Sequence, residues 1–188
     1  MNNAVFQSDL LPDEQIVWSG QPESSILFTP MDLLLVPFSL LWGGFAIFWE
    51  LSVIGTFKSN QPAPAFFPLF GVPFVLVGLY FIFGRFVYKS WKKKRTWYAV
   101  TNQRVLIVTQ GISRTCQALS IATLPAIDKT VRSNGSGNIK FGTSPFMFTI
   151  YENSGMDFFG GFNGQGAPSF FDLKDVESVY RIVTSQRQ

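Results

Sequence analysis

The chain has no histidine and a single cysteine, Cys116, among its 188 residues. Serine–histidine triads, histidine general bases, HExxH zinc sites and zinc fingers are thereby excluded. So are intramolecular disulfides. Charge is the third scarcity. Asp, Glu, Lys and Arg make up 14% of the residues, against about 25% in an average soluble protein. Apolar residues take up the difference at 47%, with 21 Phe. A chain this short of polar surface points to a bilayer. Its length suits one ordinary domain, or a small domain with an appendage.

The few charges are grouped. Residues 1–29 carry Asp9, Asp13, Glu14 and Glu23 and no basic side chain. Residues 85–95 carry Arg85, Lys89, Lys92, Lys93, Lys94 and Arg95 and no acidic one. The net charge of +3 therefore reflects one basic stretch and not a nucleic-acid-binding surface. No nucleic-acid partner is expected.

Leu33 to Trp49 is a run of 17 uncharged residues, followed by Glu50 and a further apolar run to Phe57. Ala63 to Gly84 gives 22 residues without charge. About 20 apolar residues at 1.5 Å rise cross a ~30 Å hydrocarbon core. The alternative is a pair of core helices, but soluble helices rarely stay apolar on every face for this long. The spacing predicts spans at about 31–54 and 65–87, within a hairpin covering 30–88. Thr29 suits an N-cap, Pro30 the first helical position and Asp32 the first turn. Pro37 and Pro73 fall inside the spans and should bend them. Gly43, Gly44, Gly71 and Gly78 offer close helix contact without a GxxxG motif. The basic junction at 89–95 follows the second span directly, and the positive-inside rule then places both termini in the cytoplasm. The acidic start lacks the charged n-region of a signal peptide.

After Arg95 the pattern shortens to strands. Trp97–Val100 and Val105–Val108 flank a tight polar connection, Cys116–Ile121 is a third strand, and Ile127–Arg132 turns through 133–137 into Asn138–Phe141. Phe146–Tyr151 reads as a further strand, 153–169 as a long Gly-rich loop, and Asp172 as the start of an amphipathic helix. Leu173, Val176, Val179, Tyr180 and Val183 would form the apolar stripe of that helix. Antiparallel strands followed by one such helix suggest a curved sheet or barrel with the helix across one opening.

Two stretches carry a resemblance. Tyr98-Ala99-Val100-Thr101-Asn102-Gln103-Arg104-Val105 is similar to a Y-x-[LV]-T-[ND]-x-R-[VL] signature. Leu11-Pro12-Asp13-Glu14-Gln15-Ile16-Val17-Trp18-Ser19-Gly20-Gln21-Pro22 is similar to an L-x-x-[GD]-E-x-[IV]-[LVI]-W-x-G-x-P lead segment. Both resemble bacterial membrane-associated proteins with a pleckstrin-homology-like (PH-like) domain, as does the closing stretch Phe171–Tyr180. The resemblance implies a transmembrane hairpin, a mainly-β PH-like roll of two antiparallel sheets at 96–188, and a capping C-terminal α-helix. The lead segment at 1–29 would be able to pair with the sheet. Motif residues are then Trp18, Gly20, Pro22, Tyr98, Thr101, Asn102 and Arg104. The family brings no catalytic residues to carry over.

Lys89, Lys92, Lys93, Lys94 and Arg95 can meet anionic headgroups at roughly 1 kcal/mol each. The favoured reading of the same block is a topological stop signal, which a span with cytoplasmic flanks needs anyway, and a third is attraction to the acidic residues 9–23. Gly135–Gly142 lacks the third glycine of a nucleotide fingerprint and reads as a hairpin turn. The 160–166 stretch has no Lys-Ser/Thr ending, and Phe158, Phe159 and Phe162 in that loop could touch a membrane or a partner groove. Cys116, in a strand pattern, reads as a buried small side chain. No metal or cofactor is expected. The reading is a non-enzymatic integral membrane protein of a bacterial inner or plasma membrane, presenting a PH-like interaction or scaffolding domain to membrane lipids and to a protein partner or a second copy. Anionic-lipid sensing through the basic junction is the alternative, and an enzyme with an unrecognised site the remaining one.

Overall fold

The computed structural model describes residues 3–25, 28–29, 32–56, 66–111, 113–145, 152–156 and 166–187. The chain divides into a helical unit, Phe28–Tyr88, and a β unit formed by Met1–Leu27 with Lys89–Gln188. The predicted strand at 146–151 and the Phe residues at 158, 159 and 162 lie outside the described residues.

The helical unit contains α1 (Asp32–Thr56) and α2 (Phe67–Leu79); a π-helical turn at Tyr80–Gly84 then leads into α3 (Arg85–Lys94). Two helices, Asp32–Thr56 and Phe67–Lys94, are long and apolar enough to cross a membrane. Their apolar residues occur all round the helix and not as a stripe: Leu33, Leu41, Phe45 and Leu69 are all two-thirds or more exposed. Where the helices meet, side chains shrink to nothing. A Cβ on Gly78 would stand 2.8 Å from the Gly43 Cα, so the two backbones touch there. Seven residues earlier, on the same face, Gly71 leaves room for the Glu50 carboxylate and the Trp49 ring. Trp42 packs on Phe74 at 6.5 Å between ring centroids.

Asp32 is 2% exposed and Arg85 fully buried, with Nη1 2.5 Å from Oδ1. In the sequence Arg85 stands in the basic stretch 85–95, ahead of the junction at 89–95, and nothing local marks it as the partner of Asp32. The π turn explains part of this pairing. The Arg85 backbone N–H bonds Tyr80 O, and the Arg85 Nε donates to Phe81 O at 2.9 Å. At the start of α1 the Thr29 N–H and Oγ1 both donate to the Asp32 carboxylate, at 2.6 and 2.8 Å, so the acid three residues on is the acceptor.

In the β unit, β1 (Ile16–Gly20), β2 (Thr96–Thr101), β3 (Arg104–Gln110) and β4 (Arg114–Ser120) form one antiparallel sheet in that order. A second antiparallel sheet holds β5 (Ile127–Val131), β6 (Gly137–Phe141) and β7 (Ser169–Leu173). The helix α4 (Val176–Ser185) follows. Alternation puts Tyr98, Val100, Val105 and Ile107 into one core with Ile139, Phe141, Phe170 and Leu173 from the other sheet, and α4 closes it with Val176, Val179 and Val183. Burying each such side chain contributes about 1.5–3 kcal/mol. A smaller cluster on the opposite face packs Phe6 of the lead segment on Ala99, Leu106 and Val108.

The sheets are fastened by an aromatic stack. Tyr98 lies on Phe170 at 4.4 Å, Phe141 meets Phe170 edge-on at 5.0 Å, and the Phe171 N–H donates to the Tyr98 hydroxyl at 3.0 Å. Burial raises the Tyr98 pKa well above its ordinary value. Gly135, at φ +80°, makes the β5–β6 turn possible.

The predicted helix start at Asp172 is corrected. Residues 169–173 are strand, Asp172 sits at φ +52° in a β7 bulge between the Gly137–Leu173 and Ile139–Phe170 pairs, and Leu173 belongs to β7. The helix begins at Val176, capped by Asp175, whose carboxylate accepts from Ser178 N at 3.0 Å. Asp172 opens the apolar stripe in sequence, but it pairs with β6 as part of β7, and the cap falls three residues later on Asp175. The second apolar helix also runs beyond its expected end near 87, so the junction residues 89–94 are helical.

Candidate functional site

The motif residues of the lead segment and of the β2–β3 turn form one joint. Thr101 is buried where β2 ends. Its Oγ1 accepts from the N–H groups of Gln103 and Arg104, at 3.2 and 2.8 Å, and lies 2.7 Å from Glu14 Oε1. Arg104 closes the joint with Nε on Glu14 Oε1 at 3.0 Å, Nη2 on Glu14 Oε2 at 2.5 Å, and Nη2 on Asp9 O at 2.8 Å. Asn102 pairs with Gln15 twice, through its own N–H and through its side-chain oxygen, each at 3.1 Å. The Glu14 carboxyl is held down to about 2 mainly by its Arg104 hydrogen bond, with help from Leu11 N–H and Thr101. Arg114 engages Asp9 in the same way, and lowers its pKa. The spacing T-N-x-R is thus a tight turn whose last residue reaches a carboxylate about 90 positions away. The third possibility for the basic block, attraction to the acids 9–23, does not hold for Asp9 and Glu14, which pair with Arg114 and Arg104.

Trp18 and Gly20 belong to β1, which pairs antiparallel with β2 and is bulged between Ile16 and Trp18. Any Cβ at Gly20 would fall 2.7 Å from the Trp18 ring, which folds back over it and reaches Phe170 at 6.0 Å. Pro22 is buried just beyond the strand.

A second joint forms around Asp172, which is fully buried. Its carboxylate takes Lys93 Nζ at 2.8 Å, Arg132 Nη2 at 2.9 Å and Asn153 Nδ2 at 2.8 Å. Its N–H donates to Asn138 Oδ1 at 2.8 Å, and its carbonyl accepts from Glu23 N at 2.7 Å. Burial by itself would raise the Asp172 pKa; the Lys93 and Asn153 hydrogen bonds and the two cations outweigh it, and the net direction is down.

This joint divides the five junction residues expected to meet headgroups. Lys89 and Lys93 are buried, and Lys93 is held by Asp172 and by Ser25 O at 3.1 Å. Lys92 is half-buried, and Lys94 and Arg95 are exposed, with Arg95 lying over the Trp91 ring at 4.4 Å. A helical period explains the split, because positions 89 and 93 share the face that packs inward. Sequence reasoning missed Asp172, Asp32 and Arg85. Burial of an aspartate or arginine has no local signature.

Cys116 is half-buried on β4 and not fully buried as expected, and burial together with Asp9 raises its thiol pKa. Glu152 pairs with Lys140 at 3.2 Å and accepts from Ser144 at 2.7 Å. Among the described residues no group of three Asp, Glu or Cys side chains converges as a metal site. Among the described residues β4 bonds on one side only, to β3, and most of its residues are exposed or half-exposed. No family model, curated protein or solved structure matches the chain.

Proposed function

We infer that the chain is an integral membrane protein whose two apolar helices form a hairpin tethering a PH-like roll to the cytoplasmic face of a bacterial membrane. Both termini are cytoplasmic, and the roll is a non-enzymatic interaction or scaffolding module. The observation that carries this reading is the exposed apolar surface of both long helices, including Leu33, Leu41, Leu69 and Phe70, which lipid would cover. The order of elements agrees with it: a four-stranded sheet, a three-stranded sheet and a closing helix, with the lead segment supplying the first strand. Lys92, Lys94 and Arg95 at the end of the second helix set the orientation by the positive-inside rule. The interaction surface in this reading is the open edge of β4, which offers backbone groups to an added strand.

Alkaline carbonate extraction of the full chain tests the tether, with retention in the membrane expected. In a Cys116→Ser background, Ser8→Cys should resist an impermeant maleimide in intact cells while Gln61→Cys reacts. A photocrosslinker at Thr115 on β4 should give a discrete adduct with a second copy or another protein in native membranes. Extraction by carbonate, the opposite labelling pattern, or no adduct above a control position on α4 would each remove that part of the reading.

A further inference from the structure

The described basic side chains of the β unit are almost all engaged. Lys93, Arg104, Arg114, Lys129, Arg132, Lys140 and Arg181 form ion pairs. Arg187 donates to Leu124 O, and Arg95 covers Trp91. Lys89 and Lys92 also have partners. Two cations remain whose side chains have neither ion pair, hydrogen bond nor ring contact among the described residues, Lys94 and Lys174, and both are exposed. They line the same cleft, of about 780 Å³. Glu23, also without an ion-pair partner among the described residues, lies on its wall with Trp18, Ser24 and Ser90. Glu23 is held in position by its backbone N–H, which donates to Asp172 O at 2.7 Å. Asp175, the other carboxylate there, is engaged by Ser178.

We propose that this cleft binds a zwitterionic headgroup in which a phosphodiester is linked to a primary ammonium. Lys94 and Lys174 take the phosphate oxygens as charge-assisted donors. Glu23 takes the ammonium, the serine hydroxyls supply further hydrogen bonds, and the Trp18 ring forms the apolar wall. Two free cations beside a free carboxylate complement a zwitterion better than a plain anion. The source is membrane phospholipid. Ser90 and Lys94 lie on the helix Phe67–Lys94, about 35 and 40 Å along its axis at 1.5 Å per residue. A helix crossing a ~30 Å hydrocarbon core brings those positions to the headgroup layer and its outer edge. This inference rests on the membrane reading above and replaces a diffuse basic junction with a built site.

Native mass spectrometry of the full chain in detergent tests it, with phosphatidylethanolamine, phosphatidylglycerol and phosphatidylcholine of matched acyl chains. Phosphatidylethanolamine should bind tightest. Lys94→Gln/Lys174→Gln should weaken it about tenfold, the loss of two solvent-exposed charge pairs. Glu23→Gln should remove the preference over phosphatidylglycerol. The double variant Lys92→Gln/Arg95→Gln has the same charge change outside the cleft and should bind like the wild type. Equal losses in both double variants, or tighter binding of phosphatidylglycerol by the wild type, would overturn the site. Soluble glycerophosphoethanolamine binding as tightly as the lipid would overturn the lipid source. Carbonate extraction of the same variants separates failure of the cleft from failure of the tether, since membrane retention persists in the first case only.

Discussion

The helical unit and the β unit each bury an aspartate against an arginine or lysine, and the two sites differ in the number of segments they join. The Asp32 carboxylate takes one cation, Arg85, together with the Thr29 N–H and Oγ1, and Arg85 Nη2 is buried without a hydrogen-bond partner among the described residues, as is Arg132 Nη1 beside Asp172. Asp172 has two cations and an amide on its carboxylate, and both its backbone groups are bonded. The first joins two segments. The second gathers the helix end, the lead segment, the β5–β6 turn, the 152–156 segment and β7 at one residue. Elsewhere the helical unit relies on bare backbone contact, Gly43 against Gly78, while the β unit relies on charged clasps at its turns. A buried polar clasp is expensive to build away from water, and between α1 and α2 two glycines make the contact instead.

The largest effect expected follows from that contrast. Asp172→Ala leaves Lys93 buried with no counter-ion and should destabilise the β unit by about 3–5 kcal/mol. Asp32→Leu should also destabilise, by about 3 kcal/mol, because Arg85 is stranded. The double variant Asp32→Leu/Arg85→Leu should return to within about 1 kcal/mol of the wild type, since an apolar pair needs no desolvation. Replacing Asp172, Lys93 and Arg132 together should not recover, because the αL bulge and the Asn153 bond go with them. Denaturant unfolding of the full chain in detergent, followed by tryptophan fluorescence, measures all four. Equal recovery in both units would erase the distinction.

The next effect tests the other clasp. Glu14→Gln should cost about 2 kcal/mol, the loss of charge-assisted bonds to Arg104. Because the folded pKa is depressed, to about 2, the contribution is fully present above the unfolded value near 4.5 and fades as pH falls toward 2. The gap between wild type and Glu14→Gln should therefore be widest at pH 6–7 and should narrow progressively below pH 4.5. A gap independent of pH would mean that Glu14 acts through shape alone.

How much of this could be read in the sequence depends on range. The two apolar helices, the β2–β3 and β5–β6 hairpins and the α4 stripe are local periodicities, and they appear within a few residues of their expected places. What failed was decided at long range. Asp172 reads locally as a helix cap, and only its partners from positions 93, 132 and 153 make it a strand bulge. The five junction cations look equivalent in sequence, and the inward face of one helix sorts them. The T-N-x-R turn was visible as a motif, but its carboxylate partner Glu14 was visible only as part of a separate motif; that the two touch is a fact of the fold.

A smaller effect sharpens the helical side of the comparison. Gly78→Ala forces a methyl against the Gly43 backbone and should cost about 2 kcal/mol by pushing the helices apart. Gly44→Ala, one position round the helix, meets nothing within 4 Å and should be neutral or slightly stabilising. Thermal unfolding of the two variants side by side checks it. If both cost the same, the loss is not helix packing.

The smallest effect concerns the fastening between sheets. Tyr98→Phe keeps the ring stack on Phe170 and removes only the hydroxyl, so the Phe171 N–H loses its acceptor, at about 1 kcal/mol. Hydrogen exchange at the Phe171 amide gives a readout that ring packing does not move. Exchange there should accelerate by at least the factor that global destabilisation predicts, while amides in β3 follow the global change alone. Tyr98→Leu, which also removes the stack, should cost roughly 1 kcal/mol more. If Phe and Leu behave alike, the sheets are joined by the hydroxyl and not by the aromatic contact. The β unit would then be fastened by polar groups at every joint, in full contrast to the glycine contact of the helices.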